Sequence, residues 1–481
     1  MTKSPFGGFF APLCAAAALY AAERSFFMPR KAADMCEGPL ISRIILYTIP
    51  IILTGVLQLL FNAADLVVVG RCCGSNSVGA VGSTGAIINL MVNLFIGLSV
   101  GAGVTVAHGL GSGRLEDVRR TVHTAIPTAI ISGAVLTLVG VLFSGKFLSL
   151  MDTPKEQLHL ATSYMRIYFC GTIASMIYNF GSAILRAAGD TQSPLYYLTA
   201  AGVLNVLLNL LFVIVFSMDV AGVALATTIS QILSAVLILR ALMKREDACR
   251  LDLRKMHIYG RQLKRIIQIG FPAGIQGSLF SASNVIIQSS INSFGPIVNS
   301  GNAAAQNIEG FVYTSMNSYS QTALNFTGQN YGAGKFDRIR KIMWICLIAV
   351  FCTGAALGIT ALFFGKPLLG IYITDSEEAI KYGLVRMTYI MLPYFLCGLM
   401  DVTTGLIRGL GSSVTPMLIT IAGVVGIRLG WIYVVFRIPQ YHSIKSLYLS
   451  YAISWSITFL AELIVFIILM KKLKKQQNKQ E

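Results

Sequence analysis

The chain has 481 residues, of which 55% are hydrophobic and 12% charged, against about 25% charged in an ordinary soluble domain. That balance places it among polytopic membrane proteins and excludes a soluble globular core. The formal charge of +17 does not indicate a nucleic-acid partner, because Lys and Arg gather in alternate loops rather than on one soluble face.

The N-terminus, "FGGFFAPLCAAAALYAA" from Phe6 to Ala22, follows Lys3 and reads like a short signal-peptide core, too short to span a bilayer. Polar "ERSFFMPRKAADMCEG" comes next. The segment is expected to be an upstream extension, with the natural chain starting near Met35. The nine cysteines are mostly scattered through apolar runs, and Cys72 beside Cys73 suits neither a disulfide framework nor a zinc site. They read as small buried hydrophobes.

Windows of about 20 apolar residues give twelve spans, near 42–64, 79–105, 121–143, 160–184, 194–217, 220–242, 266–291, 302–326, 342–364, 382–406, 416–436 and 446–470. The fold class is therefore all-α and integral to the membrane. Loops after the even-numbered spans carry Arg114, Arg119 and Arg120, the linker from Arg240 to Arg265, Lys335 to Lys341, and the tail "KKLKK" at 471–475. Loops after the odd spans carry only Arg71, Lys146, Lys155, Lys366, Lys381, Arg437 and Lys445. Both termini are thus expected in the cytoplasm, with the protein in the inner or plasma membrane.

The two halves repeat. Pro50 and Pro272, Gly55 and Gly277, and Asn62 and Asn284 are each 222 residues apart. "GSGRLEDVRR" ends span 2 and "GAGKFDRIRK" ends span 8, so Gly111 matches Gly332, Gly113 matches Gly334 and Arg119 matches Arg340. "RAAGDTQSP" follows span 4 and "RGLGSSVTP" follows span 10, so Arg186 matches Arg408, Gly189 matches Gly411 and Pro194 matches Pro416. One period holds six spans, an even number, so the repeat is parallel, with a pseudo-two-fold along the membrane normal. Helix capping by Gly and helix starts at Pro account for most of these matches, and Arg186 and Arg408 read as residues of the cytoplasmic edge. The expected organisation is an N-terminal extension over 1–38, an N-lobe over 39–243, a cytoplasmic linker over 244–263, a C-lobe over 264–470 and a basic tail over 471–481.

Two six-helix halves, "GSGRLEDVRR", "RAAGDTQSP" and an acid in span 1 resemble the multidrug and toxic compound extrusion (MATE) family from about residue 40 onward. The resemblance implies two lobes forming a V that alternates between facing in and facing out. It also implies exchange of amphipathic, often cationic organic compounds for protons or sodium ions, with no cofactor. The expected partners are the bilayer and small-molecule drugs, and the expected state is a monomer.

A charge near the bilayer centre costs about 3 kcal/mol on insertion scales, so it persists when it pairs, lines a cavity or titrates. Asp65, in "LLFNAADLVVVG", is the foremost case and can take a proton or bind a cation. Asn205 and Asn209 are four apart and share a helix face. They read equally as interhelical hydrogen-bond glue or as ion partners. In one branch of the family, an acid of span 1 is joined by an Asn of span 4, an Asn and an Asp of span 5 and a Thr of span 6. The matching positions here are Asp65, Asn179, Asn205, Asn209 and Thr227. Position 209 is Asn where that branch has Asp, which leaves one carboxylate. One carboxylate with amide and hydroxyl oxygens suits a sodium ion or a single proton.

In the C-lobe, Glu309 and Arg428 are expected to pair, with Asp401 as a third member. Asp401 holds the place equivalent to Asn179, and span 7 has no acid, so the C-lobe sodium site of some family members does not transfer. Glu462 is expected to snorkel to the cytoplasmic interface. No HExxH, GxSxG or lysine P-loop occurs, so no enzyme activity is expected. A lipid-linked glycan flippase of related two-lobe fold is the rival reading. It is disfavoured because Arg428 reads as the one strong mid-bilayer arginine.

Overall fold

The computed structural model describes residues 34–151, 153–373 and 376–478. The upstream extension therefore lies, up to residue 33, outside the described residues. Within them the chain forms twelve helical rods, joined by short connections except for the linker over 245–259 between the halves. They are α1 (Leu40–Cys72), α2 (Ser75–Gly111), α3 (Leu115–Leu150), α4 (Lys155–Cys170 with Thr172–Ala187), α5 (Gln192–Val215) and α6 (Asp219–Lys244). The second set is α7 (Gly260–Asn292), α8 (Pro296–Gly332), α9 (Phe336–Phe363), α10 (Glu377–Met391 with Phe395–Gly409), α11 (Val414–Val435) and α12 (Ile444–Gln477).

Nine of the twelve expected spans fall inside one rod, and 194–217, 342–364 and 416–436 overrun theirs by one or two residues, while most rods run longer than expected. α1 ends at Cys72 rather than near residue 64, and its 33 residues reach about 50 Å at 1.5 Å per residue. That exceeds a hydrocarbon core of roughly 30 Å, so hydropathy marked only the part facing lipid tails. Eight rods are long and apolar enough to cross a membrane by composition, and ten with the two bent pairs counted as spans. α7 and α8 complete the twelve. They are as long as the others but carry Gln276, Asn284, Gln306, Glu309 and Asn317, which line a polar interior.

The rods are not uniform. α4 bends by 47° at Gly171, and α10 by 42° between Met391 and Phe395, where Pro393 interrupts the ladder. α5 widens into a π-helix over Leu211–Val215, directly after Asn209. α10 does so over Met387–Met391, directly after Arg386. In α11, π turns over Ile421–Gly426 and Trp431–Val435 bracket Arg428. Such turns reorient side chains within a helix and cluster at functional positions.

The internal repeat is visible in the backbone. Gly189 and Gly411 both sit at φ 88°, Gly113 and Gly334 at 67° and 70°, and Gly74 and Gly295 at 88° and 98°. These left-handed angles favour glycine, so the matched glycines mark the same three turns in each half.

One apolar core is built from α1 to α6, with Phe169, Phe180 and Ile184 among its buried residues. A second joins α7 to α12 around Met316, Trp455 and Phe466, and takes in Leu40, Ile44, Tyr47 and Ile51 from the start of α1. The lobes meet where α2 crosses α7 and α1 runs beside α8. The crossing is tight because it is lined with glycine. A Cβ on Gly97 would meet Gly270 O at 2.6 Å, and one on Gly101 would meet Gly270 N at 2.8 Å. Among the described residues, hydrogen bonds between the lobes lie from mid-rod to the face where α1 begins and α12 ends. They run from Ser278 to Leu90 O (3.1 Å) and between the Thr48 and Thr322 hydroxyls (2.8 Å), to His108 Nε2 on Gly409 O (2.7 Å) and Gln329 Nε2 on Ala187 O (2.7 Å). On the same face, Met35 is buried, donates its N–H to Gln329 Oε1 (3.1 Å) and accepts from Asn330 Nδ2 (3.1 Å). The lobes are thus latched on the terminal face and part toward the other.

Candidate functional site

Four of the five N-lobe residues singled out by sequence stand in one chain of hydrogen bonds. Asp65 lies nine residues beyond the middle of α1, on the order of 10 Å toward the unlatched face. Asn205 and Asn209 occupy one face of α5, one turn apart, and Thr227 faces them from α6. Asn209 Nδ2 donates to Asp65 Oδ1 at 2.5 Å and to Asn205 Oδ1 at 3.3 Å. Asn205 Nδ2 in turn donates to Thr227 Oγ1 (3.3 Å), whose hydroxyl donates to Val223 O (3.0 Å). The fifth residue does not join: Asn179 Nδ2 donates to Ser175 O of its own helix at 2.8 Å.

Two features of the chain bear on chemistry. Among the described residues, no Lys or Arg nitrogen lies within ion-pair distance of Asp65, so no base locks its carboxyl. Asn209 Oδ1 is buried without a hydrogen-bond partner, an expensive state for an amide oxygen. Both hydrogens of the Asn209 amide are committed, one to Asp65 and one to Asn205, while its oxygen is spare. A cation could be met by that oxygen together with the Asp65 carboxylate. A proton on Asp65 could be met by it after the amide turns. Among the described residues there is no group of three or more His, Cys, Asp and Glu fit to hold a metal ion, so an ion here would rest on one carboxylate and neutral oxygens.

The C-lobe differs from the sequence expectation in its pairing. Glu309 pairs with Arg386, not Arg428. Glu309 Oε2 accepts from Arg386 Nη2 at 2.6 Å and from Nε at 3.2 Å, and Arg386 Nη1 donates to Asn302 Oδ1 at 2.7 Å. Arg386 stands in the less apolar first half of α10, inside the expected span 382–406, and was not singled out from sequence. The π turn and the bend after it bring it inside, under the rings of Tyr448 and Tyr451. Arg428 instead donates to Ser454 Oγ (3.1 Å) and Asn284 Oδ1 (3.2 Å) and stacks on Tyr451, 4.1 Å from the ring centroid.

Glu462 does not snorkel. It is fully buried, accepting from Thr404 Oγ1 at 2.8 and 2.9 Å and from Thr420 Oγ1 at 3.1 Å. Arg408 is not at the edge but lines the same interior, donating Nη2 to Gln276 Oε1 at 2.7 Å. Gln276 passes the polarity on to Thr420 (2.8 Å). Asp401 lines this cavity too, with Oδ2 buried and unpartnered. The space encloses about 540 Å³ and is walled by α7, α8, α10, α11 and α12, within the range of small-molecule sites. Three arginines therefore stand at or behind this wall where the sequence suggested one, and scarcity of arginine no longer argues against a flippase. Arg386 and the Gln276–Thr420–Glu462 relay were illegible because they depend on which helix faces meet.

Comparison with known proteins gives a consistent result. A family profile described as MatE matches residues 50–211 and again 272–434, one match per half, as the repeat requires. A protein named "Probable multidrug resistance protein YoeA" from Bacillus subtilis is 26% identical, over 79% of this chain and 84% of its own. "Probable multidrug resistance protein NorM" from Thermotoga maritima is 25% identical, over 80% and 83%. Among solved structures, one titled as the outward-facing conformation of a multidrug resistance MATE family transporter superposes with a TM-score of 0.86. It is 19% identical and covers 93% of this chain and all of its own. These matches, rather than any count of arginines, weigh against the flippase reading.

Proposed function

From the premise that this chain belongs to the MatE family of multi-pass membrane transporters, we propose that it is a secondary active exporter. It moves amphipathic organic compounds out of the cell in exchange for protons or sodium ions. The observation that carries the reading is the Asp65 cluster: a carboxyl inside the membrane, unpaired with any base among the described residues, beside a buried amide oxygen that lacks a partner there. An ordinary structural polar cluster would satisfy both groups.

The mechanism in this reading alternates between two states. The lobes latch on the face that carries the basic loops, taken as cytoplasmic by the positive-inside rule, and this state is open outward. An ion arriving from outside reaches Asp65 near the open face. Its charge, or its proton, changes what Asn209 must donate and accept. The rearranged amide alters the packing of α5 on α1 next to the π turn at Leu211–Val215. Substrate is then released, the glycine-lined α2–α7 crossing opens, and the ion leaves on the cytoplasmic side. Only an ion with different affinity for the two states can drive such a shift. The test is purified protein in vesicles, with efflux of a fluorescent organic compound driven by a proton gradient alone and then by a sodium gradient alone. Efflux under one of the two supports the reading, and efflux under neither, in protein that binds the dye, contradicts it.

A further inference from the structure

In and behind the wall of the C-lobe cavity three arginines face three acids, Glu309, Asp401 and Glu462, yet two of the arginines keep nitrogens that the chain does not use. Its charges sort into three groups. Glu309 and Arg386 close on each other. Glu462 is met by two threonine hydroxyls and, through Thr420 and Gln276, is wired to one nitrogen of Arg408. What remains is Asp401, whose Oδ2 is unpartnered, and two arginines: Arg408 in the lining, with Nε buried and unpartnered, and Arg428 behind the lining, fully buried with Nη2 unpartnered. Among the described residues, neither guanidinium has a carboxylate oxygen within ion-pair distance. A buried guanidinium without an anion is costly, and a fork with a free nitrogen is the usual receptor for a carboxylate or phosphate.

The surroundings are aromatic. Arg428 sits against Tyr451, Phe280 and Trp455, at 4.1, 5.4 and 5.6 Å from the ring centroids. All three rings line the cavity, as do Asn284, which orients Arg428, and Gln276, which orients Arg408. Flat apolar walls beside a fixed cation match a ligand with an aromatic body and an acidic group.

We propose that this cavity is a binding site for aromatic or amphipathic organic anions, carboxylates or phosphates, held by Arg408 in its wall against the rings of Tyr451, Phe280 and Trp455, with Arg428 stacked on those rings from behind the lining. The site takes one charge class where the export reading leaves the class open, and it rests on that reading for its role as a transport site. Asp401, the acid of the wall without an ion-pair partner, opposes an anion and limits its affinity, which favours release once the lobes move.

The test uses two xanthene dyes of similar ring system and opposite charge, fluorescein and rhodamine 123, with the purified full chain in detergent and no gradient. Fluorescence polarisation gives each affinity. Wild type is expected to bind fluorescein. Arg428→Gln and Arg408→Gln should each weaken it at least tenfold, about 1.4 kcal/mol, while Asp401→Asn tightens it. Rhodamine 123 should not lose affinity in either arginine variant. Failure of wild type to bind fluorescein, or unchanged fluorescein binding in both arginine variants, overturns the site. Where Arg428→Gln does not purify as a monodisperse protein, Arg428→Lys keeps the charge but loses the fork, and unchanged binding there also counts against the site. A site that binds as stated in protein that exports neither dye under either gradient would sink the export reading alone. Gradient-driven export with arginine-independent binding would sink the site alone.

Discussion

Glu309 and Arg386 form a buried ion pair whose removal can be worked through from its contacts. Arg386 is 3% exposed and spends two nitrogens on Glu309 and a third on Asn302. Glu309→Gln keeps the shape but leaves a buried guanidinium without its anion. Breaking such a pair from one side costs about 3–5 kcal/mol. Arg386→Met strands the carboxyl instead and should cost a similar amount. The double variant Glu309→Gln/Arg386→Met removes both charges and leaves Asn302 its bond from the Tyr448 hydroxyl (3.0 Å). Replacing a whole buried pair by neutral groups is often close to neutral, so the double variant should recover most of the loss. The non-additivity itself would be a few kcal/mol. Thermal unfolding in detergent, followed by a fluorogenic maleimide that reacts as buried Cys346 and Cys397 become exposed, ranks the four proteins. A Glu309→Gln protein that melts with wild type, or a double variant that falls by the sum of the singles, would refute the assignment of Arg386 as the partner.

Other expectations are shorter. Gly97→Val places a side chain against Gly270 and Gly274 at the α2–α7 crossing, and overpacking there costs about 1–3 kcal/mol. It should shift the protein away from the terminally latched state, read as faster labelling of a cysteine introduced at Thr322 beside Thr48. Unaltered labelling would count against that crossing as the place where the lobes open. In the α6–α7 linker, burial pushes the Cys249 thiol up to about 12, so it stays neutral and slow to react with maleimide from pH 6 to 9. Because the folded value is the higher one, the stability this thiol contributes is whole below the ordinary thiol range. It is lost as pH climbs toward 12. Maleimide labelling of Cys249 in the folded protein that rises steeply between pH 6 and 9 would contradict its burial.

Sequence periodicity made the rods, their number and their repeat legible, because lipid imposes apolar length and turns impose glycine. Gly189 and Gly411 could be paired before their common φ of 88° was known. Spacing alone put Asn205 and Asn209 on one helix face, and the family resemblance joined Asp65 and Thr227 to them. Partners across bends were not legible. Arg386 precedes a π turn and a proline break, and neither leaves a trace in hydropathy. Glu462 looked like an interfacial residue, since it lies within ten residues of the basic tail. Its burial depends on Thr404 and Thr420 from two other rods. Asn179 was expected beside Asp65, but its amide turns back to Ser175.

The central claim is that the Asp65 carboxyl couples ion movement to export. Its most direct measurement is gradient-driven efflux in vesicles by Asp65→Asn beside wild type, at equal protein content and equal substrate affinity. Asn keeps the size and the bond to Asn209 but carries neither a charge nor a titrating proton. The account predicts substrate binding without efflux above the background of empty vesicles, under both proton and sodium gradients. Efflux by Asp65→Asn at the wild-type rate under either gradient would contradict it.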